Sequence, residues 1–228
     1  LFSATMPGPI KKITQRYLND PKHVKIESKV STASTIRQRY CQVAGHHKLE
    51  ALTRIMEVEP FDGMIIFVRT KTATLELAEK LAARGYDVEP LNGDIPQAAR
   101  ERTVDRLKQG KIDILVATDI AARGIDVDGV SDIVNFDLPL EAENYVHRIG
   151  RTARAGANGK SWSFCTGEDR QLLRNIERFI KNPIPLLTGD FHSEKALNDC
   201  KEGGRPVKGK GGSSRKPRSR KFGGRKNY

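Results

Sequence analysis

The sequence is short of cysteine: Cys41, Cys165 and Cys200 are few, far apart and without any Cys-x-x-Cys spacing. That indicates neither a disulfide framework nor a zinc site, and it suits a reducing cytoplasm, with Cys41 and Cys165 as small buried hydrophobes. No apolar run approaches the ~20 residues needed to cross a bilayer. The 228 residues start at Leu1 without an initiator methionine, so the chain reads as a fragment whose upstream signals are unseen. It also lacks a Gly-x-x-x-x-Gly-Lys-Ser/Thr loop, the backbone cradle that would hold a nucleoside triphosphate within one chain.

Acidic residues vanish toward the end. From Gly203 to Tyr228 there are ten Lys and Arg and no Asp or Glu, against a net charge of +12 for the whole chain. Nearly all the excess therefore sits in a Gly-, Lys-, Arg- and Ser-rich segment too polar to build a core, and this tail is expected to be disordered. A basic tail on a nearly neutral body points to a polyanion held by its backbone charge. The bland alternative is a solubilising end.

Hydrophobic periodicity organises the rest. Pro7 and Pro9 open a helix carrying Ile10, Ile13, Tyr17 and Leu18, which Asn19-Asp20-Pro21 stops. A short strand is expected over 23–27, and the Ser/Thr-rich stretch 28–34 reads as a linker. Strands are then expected over 36–43, 64–68, 88–91, 112–116, 132–136 and 161–165, alternating with helices over 47–57, 72–83, 97–108, 141–149 and 168–180. Continuous apolar strands of about five residues between helices of about ten predict an α/β fold, a parallel sheet with helices on both faces. In such sheets ligands bind beyond the carboxyl ends of the strands.

The densest chemistry is His147-Arg148-Ile149-Gly150-Arg151-Thr152-Ala153-Arg154. Arg151 and Arg154 are three apart, so a continuing helical turn would aim both guanidinium forks the same way. Two such forks suit a triphosphate, whose transition state spreads negative charge over its outer oxygens. Alone, the stretch could equally be a solvated basic face. A second element runs from Thr118 to Asp126. There a buried strand gives way to a helical turn whose amides, with the Thr118 hydroxyl, can hold a phosphate. Gly124 permits a tight bend, and Asp126 can accept from a ribose hydroxyl. Thr118 and Asp119 taken singly are also ordinary helix caps. Weaker elements are Phe67-Val68-Arg69-Thr70 at another strand end, and Asn92-Gly93-Asp94 followed by Gln97 and Arg100.

Taken together, Ser3-Ala4-Thr5, the run from Ile65 to Thr70, Gln97 with Arg100, the Thr118-to-Asp126 segment and His147-to-Arg154 resemble the ordered motifs of DEAD-box RNA helicases. The likeness covers 1–180. It implies that 1–27 close a first RecA-like domain, 28–34 link it to a second RecA-like domain over 35–182, 183–202 form an extension and 203–228 the disordered tail. It implies catalytic roles for His147, Arg151 and Arg154, the two arginines reaching the phosphates of ATP. Gly124 and Asp126 would join them in holding the nucleotide. RNA phosphates and sugars would meet Thr70, Gly93, Gln97, Arg100 and Thr118, and Ser3 and Thr5 would couple hydrolysis to strand opening. Backbone contacts of this kind are sequence-tolerant.

The expected activity is that of an ATP-dependent RNA helicase acting on short duplexes. Mg²⁺ would be held with ATP by an upstream half, because the Asp-Glu-Ala-Asp sequence is not in these residues. Alone, this chain is expected to be inactive as an ATPase. The segments 70–76 and 92–94 look most like cold-shock and ribosome-assembly members from bacteria, so ribosomal or RNA-decay assemblies in the cytoplasm are the expected company. The family pattern carries Gly where this chain has Ala153, and a helical turn there would tolerate the methyl group without loss of activity. Two rival readings are another superfamily 2 motor acting on DNA, and an RNA-binding module without turnover.

Overall fold

The computed structural model describes residues 8–22, 35–123, 130–153 and 157–187. The expected strand at 23–27, the linker at 28–34, Cys200 and the basic tail lie outside the described residues. Within the first stretch, α1 (Gly8–Tyr17) forms as its periodicity predicts.

The body alternates strand and helix: β1 (Ile36–Gln42), α2 (Lys48–Val58), β2 (Met64–Phe67), α3 (Lys71–Ala82), β3 (Val88–Leu91), α4 (Gln97–Lys108), β4 (Ile114–Ala117), α5 (Asp119–Ala122), β5 (Asp132–Asn135), α6 (Ala142–Ile149), β6 (Gly159–Cys165) and α7 (Arg170–Ile180). The strands form one six-stranded sheet in the order β1-β6-β5-β2-β4-β3. Every neighbouring pair is parallel. This is the RecA-like architecture, with its helices in two layers.

Burial explains the arrangement. All four residues of β2 and all four of β4 are buried, as a parallel strand covered on both faces requires. Phe67, Leu115, Ile133, Tyr145 and Ile176 share one apolar cluster, while Leu52, Ile66, Leu81, Val116 and Trp162 share the other, across the sheet. Fully burying a side chain of this size contributes about 1.5–3 kcal/mol. Cys41 and Cys165 are 3% and 1% exposed, the buried small hydrophobes expected. No helix among the described residues is long and apolar enough to cross a membrane.

Element ends shift by a few residues, for local reasons. A 3₁₀ turn, Gly45–His47, takes the place of the first turn of α2. β6 starts two residues early because Gly159 pairs with Ile36 of β1. α7 starts two residues late because Asp169 first ties down the preceding turn, accepting from the Thr166 amide at 3.3 Å and its hydroxyl at 2.8 Å. The start of the 183–202 extension is held by the sheet's edge. Tyr40 N–H donates to Pro185 O at 3.0 Å, and Leu187 N–H donates to Tyr40 O at 2.7 Å. That covers backbone groups on β1 which an open edge would expose.

The chain visits β3 and β4 on one side of β2, then crosses to β5 and β6 on the other. The ends of β2, β4 and β5 therefore meet where strand order reverses, the place where such sheets bind ligands.

Candidate nucleotide and nucleic-acid site

Arg148 organises this edge. It is 3% exposed, and its fork grips Asp119 in bidentate fashion, Nε to Oδ1 at 2.6 Å and Nη2 to Oδ2 at 2.8 Å. Nη1 donates to Asn135 Oδ1 at 3.0 Å and to Asp137 O at 2.7 Å, and the guanidinium lies 4.9 Å from the centre of the Phe67 ring. One cation thus joins the ends of β2, β4 and β5 to α6. Of the three arginines in the basic stretch, sequence reasoning assigned no role to this one. The signal it left was Asn135, a polar residue inside an apolar strand.

A second charged group braces the opposite layer. Lys48 Nζ, with a side chain only 8% exposed, donates to Asp137 Oδ1 at 2.8 Å, and the Arg69 amide donates to Asp137 Oδ2 at 3.0 Å. Burial pushes the Asp137 carboxyl up, but Lys48 and Arg69 together outweigh it and hold the group below the ordinary aspartate value. Neither Lys48 nor Asp137 carried a local signal, since they stand 89 residues apart.

Two clefts open on either side of the Arg148 clamp. A groove of about 470 Å³ is lined by Arg69, Lys71, Gly93, Thr118, Ile120 and Leu140, among others. A smaller cleft is lined by Phe67, His147 and Arg151. Asp119, Arg123, Asn144 and Arg148 border both. Arg123 Nη2 donates to Asn144 Oδ1 at 3.0 Å, so the shared lining holds two side-chain pairs, Arg148–Asp119 and Arg123–Asn144.

The expected site residues distribute as follows. Gly93 and Thr118 line the groove, with Lys71 ion-paired to Asp94 beside them. Thr118 sits at the N-cap of α5 without a side-chain capping bond, so the ordinary cap reading does not use its hydroxyl. Thr70 is exposed and does cap α3, accepting from Ala73 N at 3.1 Å, which leaves its hydroxyl proton to donate. Gln97 and Arg100 do not line the groove. They pair with each other on α4, Nη1 to Oε1 at 3.4 Å, while Arg100 Nε is buried with no hydrogen-bond partner. An unsatisfied donor of that kind costs about 1–3 kcal/mol. His147 and Arg151 share the smaller cleft. Ser3, Thr5, Gly124, Asp126 and Arg154 lie outside the described residues.

One expectation is overturned. No helical turn carries Arg151 toward Arg154: α6 ends at Ile149, and Ala153 has a left-handed φ of 56°. The cause is Thr152, which leaves the helix to join the sheet side. Its hydroxyl donates to Val130 O at 2.7 Å, and its backbone bridges to Val130. Gly159 permits this approach, because a Cβ there would lie 2.4 Å from Thr152 Oγ1.

The premise that a helical turn accommodates the Ala153 methyl therefore falls. Left-handed geometry costs a non-glycine residue about 1–2 kcal/mol, and the extra freedom of an unfolded glycine returns about 0.4–1 kcal/mol of that. Ala153→Gly is accordingly expected to leave stability unchanged or raise it by up to ~1 kcal/mol, read from the urea midpoint. A loss of about 1 kcal/mol, as for glycine in ordinary backbone, would show that the strain is not there.

What the site can do chemically follows from its donors. The smaller cleft offers guanidinium groups and a histidine, suited to the outer oxygens of a triphosphate. It has no phosphate loop, and the described residues contain no cluster of three metal-ligating side chains. These residues fit one wall of a nucleotide site. The groove offers cations, a hydroxyl and an exposed apolar ledge, the combination that tracks a single strand.

Known proteins resemble this chain in sequence and fold. Residues 47–156 match the helicase conserved C-terminal domain. The ATP-dependent RNA helicase DeaD of Escherichia coli K12 is 55% identical over 185 residues, which cover 81% of this chain and 29% of that protein. The DEAD-box protein SrmB of E. coli, solved bound to regulator of ribonuclease activity A, is 38% identical with a TM-score of 0.65, covering 68% of this chain and 92% of that one. Dbp5 of S. cerevisiae, solved with RNA and ADP BeF3, is 28% identical with a TM-score of 0.73, covering 88% of this chain and 54% of that one. The chain spans about a third or less of the curated relatives' length, 29% of DeaD from E. coli and 33% of DeaD from Buchnera aphidicola.

Proposed function

Since the chain belongs to the DEAD-box family as its helicase C-terminal half, we propose that it serves an ATP-dependent RNA helicase that grips RNA by its backbone and parts short duplexes. The observation that carries the reading is the wall shared by the two clefts, Asp119–Arg148 and Arg123–Asn144. A displacement of Arg151 on one side is transmitted to Thr118 and Gly93 on the other through paired side chains a few ångströms long.

In this reading an upstream half faces the smaller cleft and supplies the phosphate loop, Ser3 and Thr5 couple the halves, and that half holds Mg²⁺. ATP bound between the halves supplies the phosphoryl chemistry. Arg151, joined by Arg154, places fixed charge where the transferred phosphoryl group becomes more negative. His147 borders the same cleft and orients it, and Gly124 and Asp126 hold the ribose side. In the groove Thr118 and Gly93 hold phosphates and sugars of one strand, and outside it Thr70, Gln97 and Arg100 meet the same strand. Contacts of this kind select RNA through its 2′-hydroxyls and leave its sequence unread. We further propose cytoplasmic work in ribosome assembly or RNA decay under cold shock, supported by the resemblance of segments 70–76 and 92–94.

The test is ATP hydrolysis by the full-length protein without nucleic acid, with RNA and with DNA, beside the 228-residue chain alone. Stimulation by RNA only, with no turnover by the chain alone, is the expected result. Equal stimulation by DNA would move the protein to another class of motor, and no turnover at all would leave an RNA-binding module.

A further inference from the structure

The exposed face of α7 is unlike those of α2, α3 and α4, the other long helices packed on the sheet. Arg170, Arg174 and Arg178 recur at every fourth position with Lys181 three further on, and all four are exposed. On α4 the exposed arginines alternate with Glu101 and Asp105, and on α3 the exposed lysines alternate with Glu76 and Glu79. The only acid within α7, Glu177, is turned away and accepts from Ile184 N at 2.9 Å. None of the four cations has an ion-pair partner among the described residues. Like charges four apart on a helix cost about 0.2–0.5 kcal/mol per pair, so the bare row is an expense that folding by itself does not explain.

Its position is informative. α7 starts just past the carboxyl end of β6, three strand positions from β4 in the sheet order. At ~4.8 Å per strand that is about 14 Å along the sheet edge from the groove at Thr118. β1, the sheet neighbour of β6, carries Tyr40, where the Pro185–Leu187 segment is hydrogen-bonded to the sheet edge. The stripe therefore starts at the strand-end edge that bears the groove, on the side of the sheet where Pro185–Leu187 pair with Tyr40.

We propose that the α7 stripe is a second RNA contact, holding the phosphate backbone of a segment that flanks the strand in the groove. Four residues of helix rise about 6 Å, which sets the arginines at a spacing comparable with successive phosphates, and unpaired guanidinium groups suit phosphate oxygens better than a mixed protein surface. The inference rests on the RNA-helicase reading and adds to it a site outside the family motifs found in this sequence. It gives the protein a longer footprint on RNA than the groove alone and does so without reading sequence.

The experiment compares the full-length protein with Arg170→Gln/Arg174→Gln/Arg178→Gln, and separately with deletion of 203–228. Binding is followed with single-stranded RNA of about six nucleotides, which the groove accommodates, and of about thirty. The triple variant should bind the short RNA and hydrolyse ATP on it as the unaltered protein does. It should bind the long RNA roughly ten- to a hundredfold more weakly at 0.1 M salt, with the slope of log K against log salt reduced by about two. Tail deletion should weaken long-RNA binding as well, and the two changes should accumulate. Unchanged long-RNA affinity and slope in the triple variant would overturn the proposal, as would equal losses on both RNAs. If the unaltered protein bound neither RNA, the RNA-helicase reading itself would fail. A stripe variant indifferent to RNA that instead lost an acidic protein partner would overturn the RNA assignment.

Discussion

Arg151→Ala in the full-length protein is expected to lower RNA-stimulated ATP hydrolysis by roughly a thousandfold or more, the scale on which a phosphate-facing arginine contributes in phosphoryl transfer. RNA binding without nucleotide should be little changed, because Arg151 lines the smaller cleft and not the groove. Lysine at this position should recover only a small part of the rate, since it restores charge but not the two-pronged fork. The measurement is steady-state hydrolysis at saturating RNA, with folding checked by circular dichroism. A loss under tenfold would shift the role to Arg154 and leave Arg151 as one wall of the cleft.

The largest stability effect is expected from Arg148. Removing it leaves the Asp119 carboxylate, the Asn135 side-chain oxygen and the Asp137 carbonyl without the donor they now share. Breaking a buried pair typically costs about 3–5 kcal/mol; the Asp119 side chain is 27% exposed and partly solvated, so the lower end of that range is expected. Arg148→Ala should therefore lower the urea midpoint by an amount corresponding to that range. Arg148→Lys should recover part of it, through one charge without the bidentate grip on Asp119. A change below about 1 kcal/mol would mean that packing alone holds the strand ends in place.

These two neighbours in one short motif have opposite destinies, and nothing in their local sequence separates them. Arg148 lies on the buried side of α6, and Arg151 emerges after the helix has ended. Spacing arguments assume that the backbone continues unchanged, and the three-residue interval to Arg154 was read on that assumption. Thr152 broke it by bonding to Val130, 22 residues earlier and just before β5. The same event placed Ala153 in a left-handed conformation, so a substitution judged harmless on a helix carries strain.

The alternation of apolar strands with amphipathic helices determined the parallel sheet, its two helical layers and the strand ends where polar motifs gather. Those features depend on nearest-neighbour periodicity and burial, which a sequence carries directly. The motif set determined the family, because residue type and order survive without coordinates. Only the tertiary structure decided which charges became scaffold and which stayed available. Arg148, Asp119, Lys48 and Asp137 are neutralised by partners 29 and 89 residues distant, while Arg170, Arg174 and Arg178 were left facing outward. Desolvation and pairing depend on what the fold brings alongside, and that is a property of distance in space, which the order of residues does not contain.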